Sequence, residues 1–231
     1  MVLVATRNPL NIGAAARAMS NFGFTGLRLV NPYHVAFREA RSAVNAAAVL
    51  ECAREFGSVA EAVADCTLVV GTASAGGREL HHTLKRLESG GREIREHLAS
   101  ASVALLFGSE KFGLSNEDLA HCHWLMRIPT REEHESMNLG QSVAVCLYEL
   151  IREQGREAAA TAPRKAATAA EMELFTSLLL DVLRESGYVN PRLAATTEMK
   201  LRRLARRLNL SAHDAEIWLG IWRQILWRLK S

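Results

Sequence analysis

The apolar run Val103-Ala104-Leu105-Leu106-Phe107 is followed directly by Gly108-Ser109-Glu110-Lys111-Phe112-Gly113, a polar loop bounded by glycines. This pattern indicates a buried strand that ends in a loop. Two distant segments also combine small residues with polar or charged groups: Asn11-Ile12-Gly13-Ala14-Ala15-Ala16-Arg17, and Ile128-Pro129-Thr130 leading to Ser136-Met137-Asn138-Leu139. A packed core requires none of these combinations. The three segments therefore indicate a functional site.

Short apolar runs alternate with helical patterns over the first two thirds of the chain. Runs at 2–6, 27–31, 67–71, 103–107 and 124–128 predict buried parallel strands. Helical patterns lie between them at roughly 12–22, 36–55, 58–65, 78–98 with a break at Gly90-Gly91, 115–121 and 138–153. This alternation predicts an α/β domain of three layers over residues 1–154, with ligands beyond the carboxyl ends of the strands.

A composition break separates this domain from a basic, helical tail. Residues 155–167 contain an alanine run, Pro163 and Arg164-Lys165, and we interpret them as a linker. Thr168-x-x-Glu171 is a capping box, which predicts that a small all-α domain begins there and extends over 168–231. Its last helix carries an apolar stripe that suits core packing, a dimer contact or base stacking: Trp218, Ile221, Trp222, Ile225 and Leu229.

The positive charge of the chain lies in this tail. The net charge is +3 overall, yet residues 1–163 carry 16 Lys/Arg against 18 Asp/Glu, and residues 164–231 carry 12 against 7. Five cations crowd one predicted helix: Lys200, Arg202, Arg203, Arg206 and Arg207. They form either a solvated helix face or an RNA phosphate contact. We favour the contact, because like charges four residues apart destabilise a helix unless a polyanion relieves them.

Several function classes are excluded. No Gly-x-Gly-x-x-Gly fingerprint follows the first strand, and the 71–78 loop has Gly77-Arg78 where a Walker A loop needs Lys-Ser/Thr. His121-Cys122-His123 and His81-His82 lack further ligands at a familiar spacing, so we predict no metal. The cysteines form no Cys-x-x-Cys pair, and we find neither a secretory signal nor a membrane span. These features predict a cytoplasmic protein.

The three segments resemble the signature motifs of the SPOUT superfamily of knotted methyltransferases, and their order and spacing are most similar to the TrmH/TrmJ branch. The tail after residue 167 resembles the C-terminal extension of the bacterial TrmJ tRNA methyltransferases. The resemblance implies a deep C-terminal trefoil knot and transfer of a methyl group from S-adenosylmethionine to an RNA ribose 2′-hydroxyl. It further implies nucleotide 32, a cytidine or uridine, of the tRNA anticodon loop as the target. Two alternatives stay open: another tRNA or rRNA nucleotide, or a non-catalytic RNA-binding module.

The resemblance also implies roles for particular residues. Cofactor contacts are expected from Thr72, Ala73, Ser74, Gly108, Ile128, Ser136, Met137, Asn138 and Leu139. Catalytic roles are expected from Asn11, Arg17, Glu110, Ser136 and Asn138. In related enzymes the arginine of the first motif reaches the active site of the partner subunit, which implies a homodimer with shared sites.

The pattern around Arg17 supports an exposed position for this arginine. Ile12, Ala15, Ala16, Met19 and Phe22 form the apolar stripe of its helix and leave Gly13, Arg17, Ser20 and Asn21 on another face. An arginine guanidinium rarely releases a proton. We therefore expect Arg17 to bind the substrate phosphate and stabilise the developing 2′-alkoxide, and deprotonation of the ribose hydroxyl by Arg17 is an alternative that stays open. Glu110 is expected either to pair with Arg17 or to accept a hydrogen bond from Asn11.

Overall fold

The structure is a computed structural model. It describes residues 1–33, 47–73, 82–131, 133, 136–152, 165–189 and 194–231. The described strands are β1 (Val2–Val4), β2 (Arg28–Val30), β3 (Arg54–Phe56), β4 (Leu68–Thr72), β5 (Leu84–Arg86), β6 (Val103–Phe107) and β7 (Trp124–Arg127). They form one parallel sheet in the order β3-β2-β1-β6-β4-β7-β5.

The described helices fall into two groups along the chain. Those connecting or following the strands are α1 (Pro9–Asn21), α2 (Ala47–Glu51), α3 (Val59–Ala62), α4 (Leu87–Leu98), α5 (Asn116–Ala120) and α6 (Leu139–Ile151). Those of the tail are α7 (Ala169–Glu185), α8 (Ala194–Arg207) and α9 (Ala212–Lys230). Within the described ranges, every helix is too short or too polar to cross a membrane.

Side chains alternate between the two faces of the sheet and build a core on each. In β6, Leu105 and Phe107 pack with α1, α4 and α6, whereas Ala104 and Leu106 pack on the opposite face with α3 and α5. Because successive strand residues point to opposite faces, the four consecutive buried residues from Ala104 to Phe107 supply both cores. The predicted α/β architecture with three layers is confirmed.

Two strands were not predicted, and both replace predicted helix. Residues 36–55 were expected to be helical, but the described part contains α2 and then β3 at Arg54–Phe56. Similarly, β5 occupies Leu84–Arg86 inside the predicted helix 78–98. Both strands lie at the edges of the sheet and are only three residues long. Pairing with β2 and β7 stabilises them, and a short polar segment carries no local signal for that pairing.

The predicted break at Gly90-Gly91 is also wrong, since α4 continues through both glycines. A Cβ on Gly90 would lie 3.0 Å from the Trp124 ring, and a Cβ on Gly91 would lie 2.8 Å from Cγ of Glu149. These glycines therefore allow α4 to approach β7 and α6 closely.

The tail begins with the predicted capping box. Thr168 N donates to Glu171 Oε2 at 2.7 Å, and Glu171 N donates to Thr168 Oγ1 at 3.2 Å. The first turn of α7 bonds to the preceding domain, because Ala169 N donates to the Cys66 carbonyl at 2.7 Å. Most of the predicted linker, 155–164, lies outside the described residues. Its end is packed, since Ala167 is buried and bonded to the Leu210 carbonyl.

Candidate active site

The candidate site lies beyond the carboxyl ends of three adjacent strands, β6, β4 and β7. A cavity of about 780 Å³ opens there. Its walls include most residues for which the resemblance implied cofactor contacts, namely Thr72, Ala73, Gly108, Ile128, Ser136, Met137, Asn138 and Leu139. Asn11 and Glu110 line it as well. Ser74 lies outside the described residues. Segments far apart in sequence thus surround one space, as the ends of neighbouring parallel strands must.

The loop after β6 folds back so tightly that its first residue has to be glycine. A Cβ on Gly108 would lie 2.0 Å from the carbonyl carbon of Gly113 and 2.1 Å from N of Leu114. Gly113 N closes the loop by donating to the Ser109 carbonyl at 2.8 Å, and Gly113 has a φ of +67°, which favours glycine. The absence of a side chain at Gly108 therefore allows the backbone of the loop to approach itself closely.

The Glu110 carboxylate is held by hydrogen bonds from Asn11 in the first motif and from two residues that precede this motif. Oε1 accepts from Asn11 Nδ2 at 3.0 Å and from Asn8 N at 3.2 Å, while Oε2 accepts from Arg7 N at 3.3 Å. Burial alone would raise the pKa of Glu110, but these hydrogen bonds outweigh it and hold the pKa below its ordinary value. Glu110 is therefore a carboxylate at neutral pH and acts as an acceptor. Its two expected partners were Arg17 and Asn11, and within this chain it accepts a hydrogen bond from Asn11.

Asn138 continues this chain of hydrogen bonds to the third motif. Its Nδ2 donates to Asn11 Oδ1 at 3.0 Å, and its Oδ1 accepts from Gly140 N at 2.9 Å, which caps α6. Because a carboxylate can only accept, Glu110 fixes which way the Asn11 amide faces, and Asn11 in turn orients Asn138. One network thus ties all three motif segments together.

Close helix packing keeps Asn11 next to Asn138. A Cβ on Gly140 would lie 2.5 Å from Cβ of Ala14, so α6 approaches α1 at a glycine facing an alanine. The alanine-rich stretch of α1 thereby has a packing reason. Gly13 is buried, although the sequence pattern placed it outside the apolar stripe of α1. Arg17 is exposed, as predicted.

The end of β4 is fastened to both of its neighbours. Thr72 Oγ1 donates to the Leu106 carbonyl at 2.9 Å, and Ala73 N donates to the Met126 carbonyl at 3.0 Å. The hydroxyl hydrogen of Thr72 is therefore committed to β6, and its oxygen can only accept from a ligand. Ile128 is partly buried against the core and gives this wall an apolar surface.

Arg17 stands apart from the cavity of its own chain. It lies six residues after Asn11 on α1, about 9 Å along the helix axis, and it does not line the cavity. With the described part of the chain, its guanidinium forms no ion pair or hydrogen bond. Its side chain is exposed.

The cavity wall also includes charged, polar and aromatic residues to which the sequence assigned no role, among them Arg86, Lys111, Phe112, Arg127 and Thr130. Lys111 and Phe112 stand inside the second motif, so its composition could have suggested them. Arg86 and Arg127 end β5 and β7. Because residues 84–86 were predicted to be helical, the sequence did not indicate that these two arginines lie side by side at the edge of the sheet where the site lies.

The clustered tail arginines divide into two that pair with carboxylates, the buried Arg206 and the partly buried Arg202, and a more exposed group, which corrects the prediction of one exposed patch. Arg206 is only 2% exposed, and its Nη2 lies 3.6 Å from Oε2 of Glu173. Arg202 Nη2 bonds to Glu173 at 2.8 Å and to Glu198 at 3.0 Å. Burial lowers the pKa of Arg206 to about 10, so the guanidinium remains charged at neutral pH. Carboxylates of the same chain, rather than a polyanion, relieve the repulsion between these arginines.

The other three cations of the five-residue cluster remain accessible. Lys200 and Arg207 are exposed, and Arg203 is partly exposed with its Nε donating to the Met199 carbonyl at 3.2 Å. In the last helix, Trp222 packs beside Phe175 with the ring centroids 6.1 Å apart, which is core packing, one of the three uses left open for the apolar stripe. The other stripe residues, Trp218, Ile221, Ile225 and Leu229, are exposed.

Among the described residues, no three His, Cys, Asp or Glu side chains come together as metal ligands. His121 is buried beside Glu173, with 3.8 Å between Nδ1 and Oε2. Burial lowers the pKa of His121 to about 4, so the imidazole is neutral at neutral pH.

Comparison with known proteins identifies relatives over nearly the whole chain. Residues 1–148 match the model of the SpoU rRNA Methylase family. The tRNA (cytidine/uridine/adenosine-2′-O-)-methyltransferase TrmJ of Pseudomonas aeruginosa is 35% identical, over 96% of this chain and 91% of that protein. The tRNA (cytidine/uridine-2′-O-)-methyltransferase TrmJ of Sodalis glossinidius is 33% identical, over 96% of this chain and 88% of that protein.

A solved structure is similar in fold as well as in sequence. The crystal structure of TrmJ from Z. mobilis ZM4 superposes with a TM-score of 0.83 and 31% identity, covering 97% of each chain. Because the coverage extends past residue 148, the similarity includes the helical tail and not only the cavity.

Proposed function

This chain belongs to the SpoU rRNA methylase family, and from that premise we propose that it methylates the ribose 2′-hydroxyl of nucleotide 32 in the tRNA anticodon loop, in the cytoplasm, using S-adenosylmethionine. The observation that carries the proposal is the single cavity enclosed by all three motif segments. The names of the relatives support tRNA as the substrate, and the Z. mobilis structure supports the same arrangement over the full chain.

The cavity suits S-adenosylmethionine in size and in the character of its walls. A volume of about 780 Å³ falls within the usual range for small-molecule sites. Ile128, Met137 and Leu139 offer apolar surface for the adenine, and the tight turn at Gly108 brings backbone polar groups to the cavity edge. When bound, the cofactor supplies an electrophilic methyl group.

The residues of the chain position the acceptor and stabilise charge, so no covalent intermediate is required. The Glu110–Asn11–Asn138 network holds the loops in register. Ser136 and Asn138 orient the ribose at the cavity. Arg17 binds the adjacent phosphate and stabilises the developing alkoxide, which is electrostatic catalysis by a prearranged donor.

The proposed enzyme is a homodimer in which Arg17 serves the cavity of the partner subunit. Arg17 is exposed and lies outside the cavity wall of its own chain, which supports this arrangement. On α6, which packs against α1, Tyr148 is 54% exposed, and Leu10 on α1 itself is 73% exposed. These apolar groups give the neighbourhood of Arg17 a surface that a second copy can cover.

The proposed fold includes a deep trefoil knot followed by a small all-α domain. The position of β7 supports the knot, because this last strand is inserted between β4 and β5, which both precede it. The tail helices share an apolar cluster of their own, formed by Ala167, Met172, Phe175, Ala205, Ala215 and Leu219, which supports a separate unit.

Hybrid dimers test the shared site. Arg17→Ala and Ser136→Ala homodimers should each be inactive, whereas mixing them should restore activity, because one site of a hybrid combines an intact cavity with an intact partner arginine. Methyl transfer is measured after subunit exchange has been verified by mass spectrometry of isotope-labelled subunits. Exchange without any recovery of activity would show that each subunit uses its own Arg17.

The tail is proposed to bind tRNA through its accessible cations. Replacing Lys200, Arg203 and Arg207 by Gln should make the log–log salt dependence of tRNA binding shallower by about 0.7–0.9 per lost phosphate contact. Affinity for S-adenosylmethionine should not change. The Arg202→Gln/Arg206→Gln pair is the matched comparison, and it should lower thermal stability instead, since it removes both arginine partners of Glu173. An unchanged salt slope in the triple variant would make these cations a solvated face.

The proposed function is tested by mapping methyl groups. The purified protein is incubated with S-adenosylmethionine and either tRNA or ribosomal RNA fragments, and 2′-O-methyl positions are read by mass spectrometry of nuclease digests. The proposal expects modification of tRNA nucleotide 32. Modification elsewhere would establish the methyltransferase and refute the target, whereas absence of transfer to any RNA would refute the activity. Transcripts with each of the four bases at position 32 would show which nucleotides are accepted. The name of one relative gives cytidine and uridine, and the name of the other adds adenosine.

A further inference from the structure

Phe112 presents an aromatic ring at the mouth of the cavity. Phe112 is one of the residues that line the cavity, and it is 69% exposed. The backbone beneath it is fixed, because Phe112 N donates to Ser109 Oγ at 3.3 Å and Gly113 N closes the same loop. A large apolar side chain on a rigid turn beside a reaction site is placed to contact what enters that site.

The rest of the described cavity wall offers no equivalent ring. Its other aromatic side chain is Phe107, which is only 2% exposed because it belongs to β6 and the core. Among the described residues, the Phe112 ring is therefore the aromatic surface that a planar group at the cavity mouth contacts.

Lys111 adds a positive charge next to this ring. Its Nζ lies 5.1 Å from the ring centroid of Phe112, within the range of a cation–π contact. The pair presents an aromatic face and a cation side by side. Single-stranded nucleic acid is bound by this combination, since its bases stack on aromatic rings and its phosphates attract cations.

We propose that Phe112 stacks on the base of the nucleotide whose ribose is methylated. The inference rests on the proposed function. In a nucleotide the base is attached to C1′, the neighbour of the C2′ that carries the reacting hydroxyl, so a ribose presented to the cavity brings its base to the cavity mouth. Every base has a π-face, and stacking therefore holds cytidine, uridine and adenosine alike. Phe112 positions the substrate and leaves the choice of base to other groups.

The test compares Phe112→Ala and Phe112→Trp on two anticodon stem-loop RNAs, one normal and one with an abasic site at the reactive nucleotide that retains the 2′-hydroxyl. On normal RNA, Phe112→Ala should lower kcat/KM by about 5- to 150-fold, the range expected for one base–aromatic stack. Phe112→Trp should restore most of this loss. On abasic RNA the wild type and Phe112→Ala should differ little. Affinity for S-adenosylmethionine should be unchanged throughout.

Two controls separate this inference from the proposed function. Tyr188→Leu removes another exposed aromatic side chain that does not line the cavity, and it should leave kcat/KM unchanged. If the wild type methylates neither RNA, the proposed function fails. If the wild type is active and Phe112→Ala behaves like it, or loses equally on abasic RNA, the stacking proposal fails. Dissociation of the dimer in Phe112→Ala would also overturn it, because the ring would then be a subunit contact.

Discussion

Arg17→Ala should lower turnover about 100- to 1000-fold, the usual loss when one charge-stabilising donor is removed from an active site. Affinity for S-adenosylmethionine should stay nearly the same, because Arg17 is assigned to the phosphate and ribose of the RNA and not to the cofactor. Isothermal titration with the cofactor and single-turnover methyl transfer to tRNA measure the two effects separately.

Two companion variants make the Arg17 result specific. Arg17→Lys keeps the charge but loses the planar fork that binds phosphate through two hydrogen bonds, so it should recover only part of the activity. Arg92→Ala removes an exposed arginine from α4 that does not line the cavity, and it should be neutral. An Arg17→Ala protein that transfers methyl groups normally, or that loses the cofactor, contradicts the assigned role.

Gly108→Ala should weaken binding of S-adenosylmethionine by about 100-fold or more. Overpacking costs about 1–3 kcal/mol even where a core can relax. Here the added Cβ would lie 2.0 Å from a backbone carbon, and backbone of a closed loop cannot turn aside as a side chain can. The loop must open, which separates it from the other walls of the cavity. Isothermal titration and thermal denaturation, with and without the cofactor, measure this effect.

Gly26→Ala is the matched control for Gly108→Ala. A Cβ at Gly26 meets no atom within 4 Å, so the substitution should leave both stability and cofactor affinity near the wild-type values. Should Gly108→Ala bind the cofactor as tightly as the control, the tight turn would be unnecessary for the pocket, and the wall after β6 would need reassignment.

The central part of the fold could be predicted because its signals are local. The apolar runs that became β1, β2, β4, β6 and β7 are bounded by turn residues, and the capping box at Thr168 fixed the start of α7. The edge strands lacked such signals. Arg54–Phe56 is largely exposed and polar, so only its pairing with β2 makes it a strand. Cooperation between distant segments of this kind is not encoded in a short window of sequence.

The same distinction applies to the candidate site. The motif segments could be assigned to one cavity, and Asn11 was one of the two partners expected for Glu110, but the partners of the tail arginines could not be predicted. Arg202 and Arg206 follow the helical spacing of a basic patch, and their actual partner, Glu173, lies on another helix. For Phe112, the sequence gives its motif but not its exposure at the cavity mouth.

The most direct test of the central claim is methyl transfer from labelled S-adenosylmethionine to two tRNA transcripts that differ in one oxygen atom. One transcript is entirely ribose, and the other carries a 2′-deoxynucleotide at position 32. If the ribose 2′-hydroxyl of nucleotide 32 is the target, the first transcript should gain about one methyl group and the second none. Equal labelling of both transcripts would contradict it, because the methyl group would then reside on a base or on another ribose.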